Sequence, residues 1–142
     1  MLKTVITREP SKRAEEIFKS NSDVEFHFFP YYKYESLPID KNFIKNIHQG
    51  YFDWIIITSY KSWIFLIRQL YNNKMSISNH TKIAAFGPET AQRITRLGRK
   101  VDFTKNVKNS KHFSKLLVES LGGDVKIAYL ASLAAGEQVA KT

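Results

Sequence analysis

Short apolar runs of strand length alternate along this chain with stretches in which apolar residues recur at helical spacing. The clearest run is Trp54-Ile55-Ile56-Ile57, which is apolar at every position, as expected of a strand covered on both faces of its sheet. This alternation is typical of parallel α/β construction, because a helix packed on the sheet joins each strand to the next. The predicted strands cover residues 2–7, 24–29, 54–57, 82–86, 101–103 and 125–130, and the predicted helices cover residues 11–19, 40–47, 62–71, 88–97 and 110–121.

A proline-bounded segment separates the first two predicted strands from the rest of the chain. Pro30 interrupts the second strand, and aromatic residues then alternate with polar ones from Tyr31 towards Pro38. An extended connector or an edge strand has this pattern, because proline cannot donate to a central sheet ladder. We therefore interpret residues 31–38 as a crossing between domains.

Composition restricts the class of protein and its partners. There is no cysteine, which excludes disulfide scaffolds and thiolate chemistry and indicates a reducing compartment. The N-terminal residues lack the apolar stretch of a signal peptide or membrane span, so we expect a cytoplasmic protein. A net charge of +9 favours an anionic partner. Its lysines and arginines are spread over the chain instead of forming a basic tail, which disfavours a nucleic-acid-binding arm.

Three predicted loops follow strands at positions suited to ligand binding. Ligands of parallel sheets collect at the carboxyl ends of strands, where free N–H groups of helix N-termini favour anions. Hydroxyls and cations in such loops can hold a carboxylate by charge-assisted hydrogen bonds. The predicted substrate-binding residues are Thr7, Arg8, Thr58, Ser59, Lys61, Ser62 and Thr90.

Plainer interpretations of some of these residues stay open at this point. Ser62 is also a suitable helix N-cap, and Thr90 is equally suited to capping or packing in a first helical turn. Arg8 is also compatible with a solvated or ion-paired surface position.

The sequence indicates neither a cofactor nor a metal. Thr7-Arg8-Glu9-Pro10 has no glycine for a dinucleotide fingerprint, and Gly87-Pro88-Glu89-Thr90 lacks the spacing of a phosphate loop. The four histidines show no metal-ligand spacing. No nucleophile and base pair is visible, so we assign no catalytic residue, and any catalysis is expected to rest on positioning and electrostatics.

Taken together, the segments resemble the uroporphyrinogen-III synthase (HemD) family over essentially the whole chain. The opening Val5-Ile6-Thr7-Arg8 is similar to the family's first strand, which ends in Thr-Arg. The run from Asp53 to Ser59 resembles its apolar strand followed by Thr-Ser at a helix start. The run from Lys82 to Ala91 resembles its strand–Gly–x–x–Thr–Ala element. The segment Tyr60-Lys61-Ser62-Trp63 departs from the family pattern, which has a small residue or asparagine and then Ala-Val.

The resemblance implies a parallel-sheet, three-layer fold. The family has two such domains, joined by a two-stranded connector, with the active site in the cleft between them. By this resemblance, residues 1–30 are the strand–helix–strand part of the first domain, residues 31–38 are the connector, and residues 39–142 are most of the second domain. The rest of the first domain, with the family's active-site tyrosine, is then absent, so we expect the chain alone to be poorly active.

The resemblance also implies an activity. Uroporphyrinogen-III synthase is a hydro-lyase of heme and siroheme synthesis that cyclises hydroxymethylbilane, a linear tetrapyrrole polycarboxylate. The product is uroporphyrinogen III, formed with loss of water and inversion of ring D. The implied partner is this small molecule, with no cofactor, no nucleic acid and no membrane, and the full-length protein is expected to be a monomer.

Two other functions stay open. One is a non-catalytic HemD-like module that binds a ligand or another protein, because a fold does not by itself fix an activity. The other, which the spread of charge disfavours, is a basic nucleic-acid-binding domain.

Overall fold

The computed structural model describes residues 2–7, 11–29, 35 and 37–130. The chain divides into two compact units, one up to Leu37 and one from Pro38 onwards.

The first unit is a strand, a helix and a second strand. Strand β1 (Leu2–Ile6) pairs in parallel with β2 (Val24–Phe28), with Leu2 opposite Val24, and α1 (Lys12–Lys19) connects them. Ser11 caps α1 by accepting a hydrogen bond from the Ala14 N–H. Phe18 of α1 stacks on Phe26 with ring centroids 4.2 Å apart. No described side chain of this unit is fully buried. This is expected, because one helix and a two-stranded sheet form too small a core to exclude water from any side chain.

The second unit is a four-stranded parallel sheet with helices on both faces. The strand order is β5-β4-β3-β6, and every neighbouring pair is parallel. In chain order the elements are α2 (Lys41–Gln49), β3 (Trp54–Ile57), α3 (Tyr60–Asn72), β4 (Lys82–Phe86), α4 (Pro88–Arg96), β5 (Phe103–Lys105), α5 (Ser110–Ser120) and β6 (Ile127–Leu130).

Strand β3 shows why this unit has three layers. Its side chains alternate between the two faces of the sheet, as they do in any strand. Ile55 and Ile57, both fully buried, belong to the core formed with α2, α3 and α4. Trp54 and Ile56 belong to a second core, formed with Phe113 and Leu117 of α5. Complete burial of each such side chain contributes about 1.5–3 kcal/mol, which explains the run of four apolar residues.

The parallel α/β class and the three layers agree with the prediction from sequence, and strands β3 and β4 have the predicted bounds. Other boundaries were wrong. Helix α3 begins at Tyr60 and not at Ser62, because Ser59 caps it. Strand β6 begins at Ile127 and not at residue 125. The predicted connector, residues 31–38, lies mostly outside the described residues.

The predicted strand 101–103 is displaced to Phe103–Lys105. Asp102 joins β4 through its side chain as well as its backbone: its carboxylate accepts a hydrogen bond from the Ile83 N–H at 3.0 Å, and its own N–H donates to the Ile83 carbonyl at 2.8 Å. Lys100 Nζ lies 2.8 Å from the same carboxylate. Burial raises the pKa of Asp102, but the hydrogen bonds from Lys100 and from the Ile83 N–H outweigh it and lower that pKa overall.

None of the described helices is both long and apolar enough to cross a membrane.

Candidate functional site at the carboxyl edge of the sheet

The carboxyl ends of β3 and β6 meet where the direction of winding reverses. From β3 the chain adds β4 and β5 on one side, then returns through α5 to place β6 on the other side. Such a switch point opens a crevice at the carboxyl edge, and ligands of α/β proteins bind there. Thr58, directly after β3, donates a hydrogen bond from Oγ1 to the Leu130 carbonyl at 2.9 Å. That bond joins the ends of the two strands.

Ser59 forms the turn from β3 into α3. Its backbone is extended, with φ −155° and ψ 157°, and its hydroxyl accepts a hydrogen bond from the Ser62 N–H at 3.2 Å. The two serine hydroxyl oxygens are 2.9 Å apart. The interpretation of Ser62 as the N-cap was therefore wrong, because Ser59 satisfies the helix donor at this end. Thr58, Ser59 and Ser62 form one half-buried hydroxyl cluster at the start of α3.

The neighbouring loop leads from β4 into α4 and has no side-chain cap. Gly87 has φ 84° and ψ 148°, which only glycine adopts readily, and Pro88 follows in the first turn. Thr90 lies half-buried in this turn, and among the described residues its hydroxyl forms no hydrogen bond. The first N–H groups of α4 are thus left without a capping side chain, which is the condition in which a helix N-terminus binds an anion.

These two loops lie side by side because their strands pair. Ile57 is opposite Ala85 in the parallel register, so the residues that follow each strand emerge from the same edge of the sheet. Adjacent strands are about 4.8 Å apart, which brings the starts of α3 and α4 within reach of one ligand.

A side-chain contact that the sequence did not reveal also links the start of α3 to the last turn of α4. The guanidinium of Arg93 lies over the Tyr60 ring, with Cζ 5.1 Å from the ring centroid. Glu89 pairs with the same guanidinium at 2.9 Å across one helical turn. The i, i+4 spacing of Glu89 and Arg93 was visible in the sequence. The contact with Tyr60 had no such signal, because the sheet alone brings these residues together.

The net positive charge of the chain lies in the part that holds this edge. Residues 38–130 contain 15 lysines and arginines and six acidic residues, which accounts for the whole net charge of +9. Residues 1–37 contain six of each and are neutral. The helix N-termini at the carboxyl edge therefore belong to a strongly cationic unit, which favours binding of a polyanion there.

The remaining predicted site residues are either exposed or outside the described residues. Lys61 is exposed in the first turn of α3, and Thr7 is exposed after β1 in the first unit. Arg8 lies outside the described residues. Two surface hollows of about 440 and 340 Å³ are lined by other residues, including Phe18 and Phe26 in the first and Leu121 and Ile127 in the second. Thus the hydroxyl cluster and Thr90 share an edge of the sheet.

The titratable groups at this edge do not suggest a metal. Within the described ranges, no three histidine or acidic side chains come together in a way that could hold an ion. Tyr129, near the carboxyl end of β6, has its pKa raised by burial, so its phenol is a neutral hydrogen-bonding group.

Comparison with known proteins gives one family and one fold. The family described as "Uroporphyrinogen-III synthase HemD" matches residues 14–142. No curated protein sequence matches the chain. Among solved structures it is similar to uroporphyrinogen III synthase from the extremely thermophilic bacterium Thermus thermophilus, with a TM-score of 0.56 and 16% identity. That match covers 99% of this chain and 57% of the Thermus chain, so this chain spans little more than half the length of that synthase.

Proposed function

We propose that this chain, which belongs to the uroporphyrinogen-III synthase HemD family, acts as a uroporphyrinogen-III synthase in tetrapyrrole biosynthesis. The reaction is the cyclisation of hydroxymethylbilane to uroporphyrinogen III, with loss of water and inversion of ring D. The substrate is a small polycarboxylate, and the protein is proposed to work as a cytoplasmic hydro-lyase, monomeric at full length.

One observation supports this proposal above the others. Two helix N-termini, those of α3 and α4, emerge side by side from adjacent parallel strands at the carboxyl edge of the sheet, in the unit that carries the net positive charge. A flexible polyacid has to be held at several carboxylates while its ends approach, and oriented N–H and O–H donors serve that purpose at little cost in reorganisation.

Each residue of this edge has a proposed role. The Ser59 and Ser62 hydroxyls and the uncapped N–H groups of α4 bind carboxylates, and Thr90 offers a further hydroxyl. Lys61, in the first turn of α3, supplies a further contact with the substrate. Thr58 positions the edge by fixing the end of β3 to that of β6. In this mechanism the protein accelerates ring closure by orientation and charge, and no side chain forms a covalent intermediate.

The domain assignment from the resemblance is part of the proposal: residues 1–30 in one domain, 31–38 as connector and 39–142 in the other. The match to 57% of the Thermus synthase supports the expectation that the 142 residues alone turn over substrate slowly.

A coupled assay tests the proposed activity. Hydroxymethylbilane is generated in situ, the products are oxidised to uroporphyrins, and the type I and type III isomers are separated chromatographically. The assay compares the 142-residue chain with the longest reading frame that contains it. We expect the longer protein to give an excess of type III, and the double variant Ser59→Ala/Thr90→Val to lower that excess. Formation of the uncatalysed type I isomer alone would refute the proposal.

The partial match also favours a second candidate, a non-catalytic HemD-like module that binds a ligand or another protein. Such a module would bind a tetrapyrrole polycarboxylate without changing the ratio of type III to type I isomer. The same assay, run beside a binding titration, separates the two functions.

A further inference from the structure

The segment from Arg93 to Lys115 holds most of the surplus positive charge of the second unit. It contains eight lysines and arginines and a single acidic residue, Asp102. The Asp102 carboxylate already has two partners, because it pairs with Lys100 and accepts a hydrogen bond from the Ile83 N–H. Half of these eight cations, from Lys105 to Lys115, lie at the end of strand β5 or beyond it.

Three lysines surround the turn from β5 into α5. Lys105 is the last residue of β5, Lys108 precedes the N-cap, and Lys111 lies in the first turn of the helix. All three are exposed, and none forms an ion pair with another described residue. The next acidic residue along the chain, Glu119, pairs with Lys115 instead.

The turn that presents these lysines is anchored at two points. Val107, between Lys105 and Lys108, packs against the core under α5. Asn109 caps the helix, accepting a hydrogen bond from the His112 N–H at 2.8 Å. The lysines thus project from a segment whose backbone is fixed, which lowers the entropic cost of binding a ligand.

The charge placement at this helix start is electrostatically unfavourable in the absence of an anion. A helix N-terminus carries a partial positive charge and favours acidic residues in the first turn. Helix α5 has no acidic residue there, and has Lys111 within the turn and Lys108 just before it. A bound anion would relieve both the repulsion among the lysines and their repulsion from the helix dipole.

The turn from β5 into α5 lies at the same edge of the sheet as the hydroxyl cluster after β3. Lys105 is opposite Phe86 in the parallel register, so the turn emerges at the same edge as Gly87. Strand β5 is two strands from β3, a separation of about 10 Å. An extended polycarboxylate is long enough to reach from the hydroxyl cluster after β3 to this turn.

We propose that Lys105, Lys108 and Lys111 form an anion-binding subsite that holds a carboxylate-bearing arm of the polycarboxylate substrate. The subsite deepens the proposed function and rests on it. It takes carboxylates by the charge of the three lysines, so it fixes one arm of the ligand without taking part in bond formation.

Binding of uroporphyrin, a stable fluorescent octacarboxylate, tests the subsite. Its dissociation constant is measured by fluorescence titration at two salt concentrations, for the wild-type chain and for the triple variant Lys105→Gln/Lys108→Gln/Lys111→Gln. The control variant Lys41→Gln/Lys45→Gln/Arg68→Gln removes the same charge from exposed positions on α2 and α3. We expect binding to weaken at least tenfold in the first variant and less than twofold in the control.

The alternative outcomes are distinct. Equal losses in the two variants, or no binding by the wild-type chain, would overturn the subsite. Tighter binding of a DNA duplex, with a steep salt dependence that the lysine variant abolishes, would reassign these lysines to nucleic acid and also overturn it. The proposed synthase activity is judged separately by the isomer assay, so it can survive loss of the subsite.

Discussion

The bond between Thr58 and Leu130 provides the sharpest test of how the carboxyl edge is held. It joins residues 72 positions apart and connects the end of β3 to that of β6. Replacing Thr58 by valine keeps the shape and branching of the side chain but removes the hydroxyl donor. The Leu130 carbonyl then loses its partner at a half-buried position.

The expected magnitude follows from that geometry. A hydrogen bond of ordinary length between uncharged groups contributes about 0.5–1.5 kcal/mol to stability after exchange with water. Leu130 is only half-buried, so water can partly replace the lost donor, and we expect a decrease of about 1 kcal/mol in the free energy of unfolding. For a unit of this size that corresponds to a fall of about 4–8 °C in Tm.

Tryptophan fluorescence during urea unfolding is the appropriate assay. Both tryptophans of the chain lie in the second unit, where Trp54 is 8% and Trp63 is 3% exposed, so the signal reports this unit alone. The control is Thr104→Val on β5, an exposed position whose hydroxyl forms no hydrogen bond to another described residue, where we expect a change within about 0.5 kcal/mol. If Thr58→Val and Thr104→Val are equally stable, the bond does not fix the strand ends and the reasoning is wrong.

Two further predictions concern stability. The pKa of Asp102 is lowered on folding, so its carboxylate stabilises the native state above the unfolded pKa of about 4 and loses that effect as the pH falls through the lower folded value. Asp102→Asn should therefore be less stable than wild type at pH 7, by up to about 1 kcal/mol for the Lys100 pair, and the difference should shrink by pH 3 in urea titrations. Gly50 has φ 74°, and an added Cβ would lie 2.8 Å from Ser78 Oγ, whereas Gly98 has φ 85° and open space. Gly98→Ala should cost about 1–2 kcal/mol from backbone strain alone and Gly50→Ala more, measured by thermal unfolding.

Opposite results would identify which step of the reasoning fails. A constant difference between Asp102→Asn and wild type from pH 7 to pH 3 would mean that the charge of Asp102 does not stabilise the fold. Equal losses at the two glycines would mean that Ser78 moves aside without cost.

The strands and helices of the second unit were largely predictable because their signals are local. The four apolar residues from Trp54 to Ile57 had to be covered on both faces, and Asp40 and Gly50 mark the ends of α2 as an N-cap and a left-handed C-cap. Boundaries that depend on partners distant in sequence were missed. The start of β5 is set by how Asp102 meets Ile83, which no local pattern encodes.

The candidate site, too, could be predicted from the sequence in part only. That Thr58, Ser59 and Thr90 follow strands, and that their loops would share an edge, was deducible from the alternation of strands and helices. Which serine caps α3 was not, because Ser59 and Ser62 are both suitable caps in composition and only the extended backbone of Ser59 decides between them.

The amino-acid sequence by itself determined the α/β class, the family and the loops in which ligand-binding groups occur, because apolar periodicity and short motifs act over a few residues. Only the tertiary structure decided the strand order β5-β4-β3-β6, the stacking of Arg93 on Tyr60 and the position of the three lysines at the edge that also presents Ser59. The physical reason is that sheet pairing brings together residues far apart in the chain. The energy of those contacts depends on packing across the whole unit and not on any segment alone.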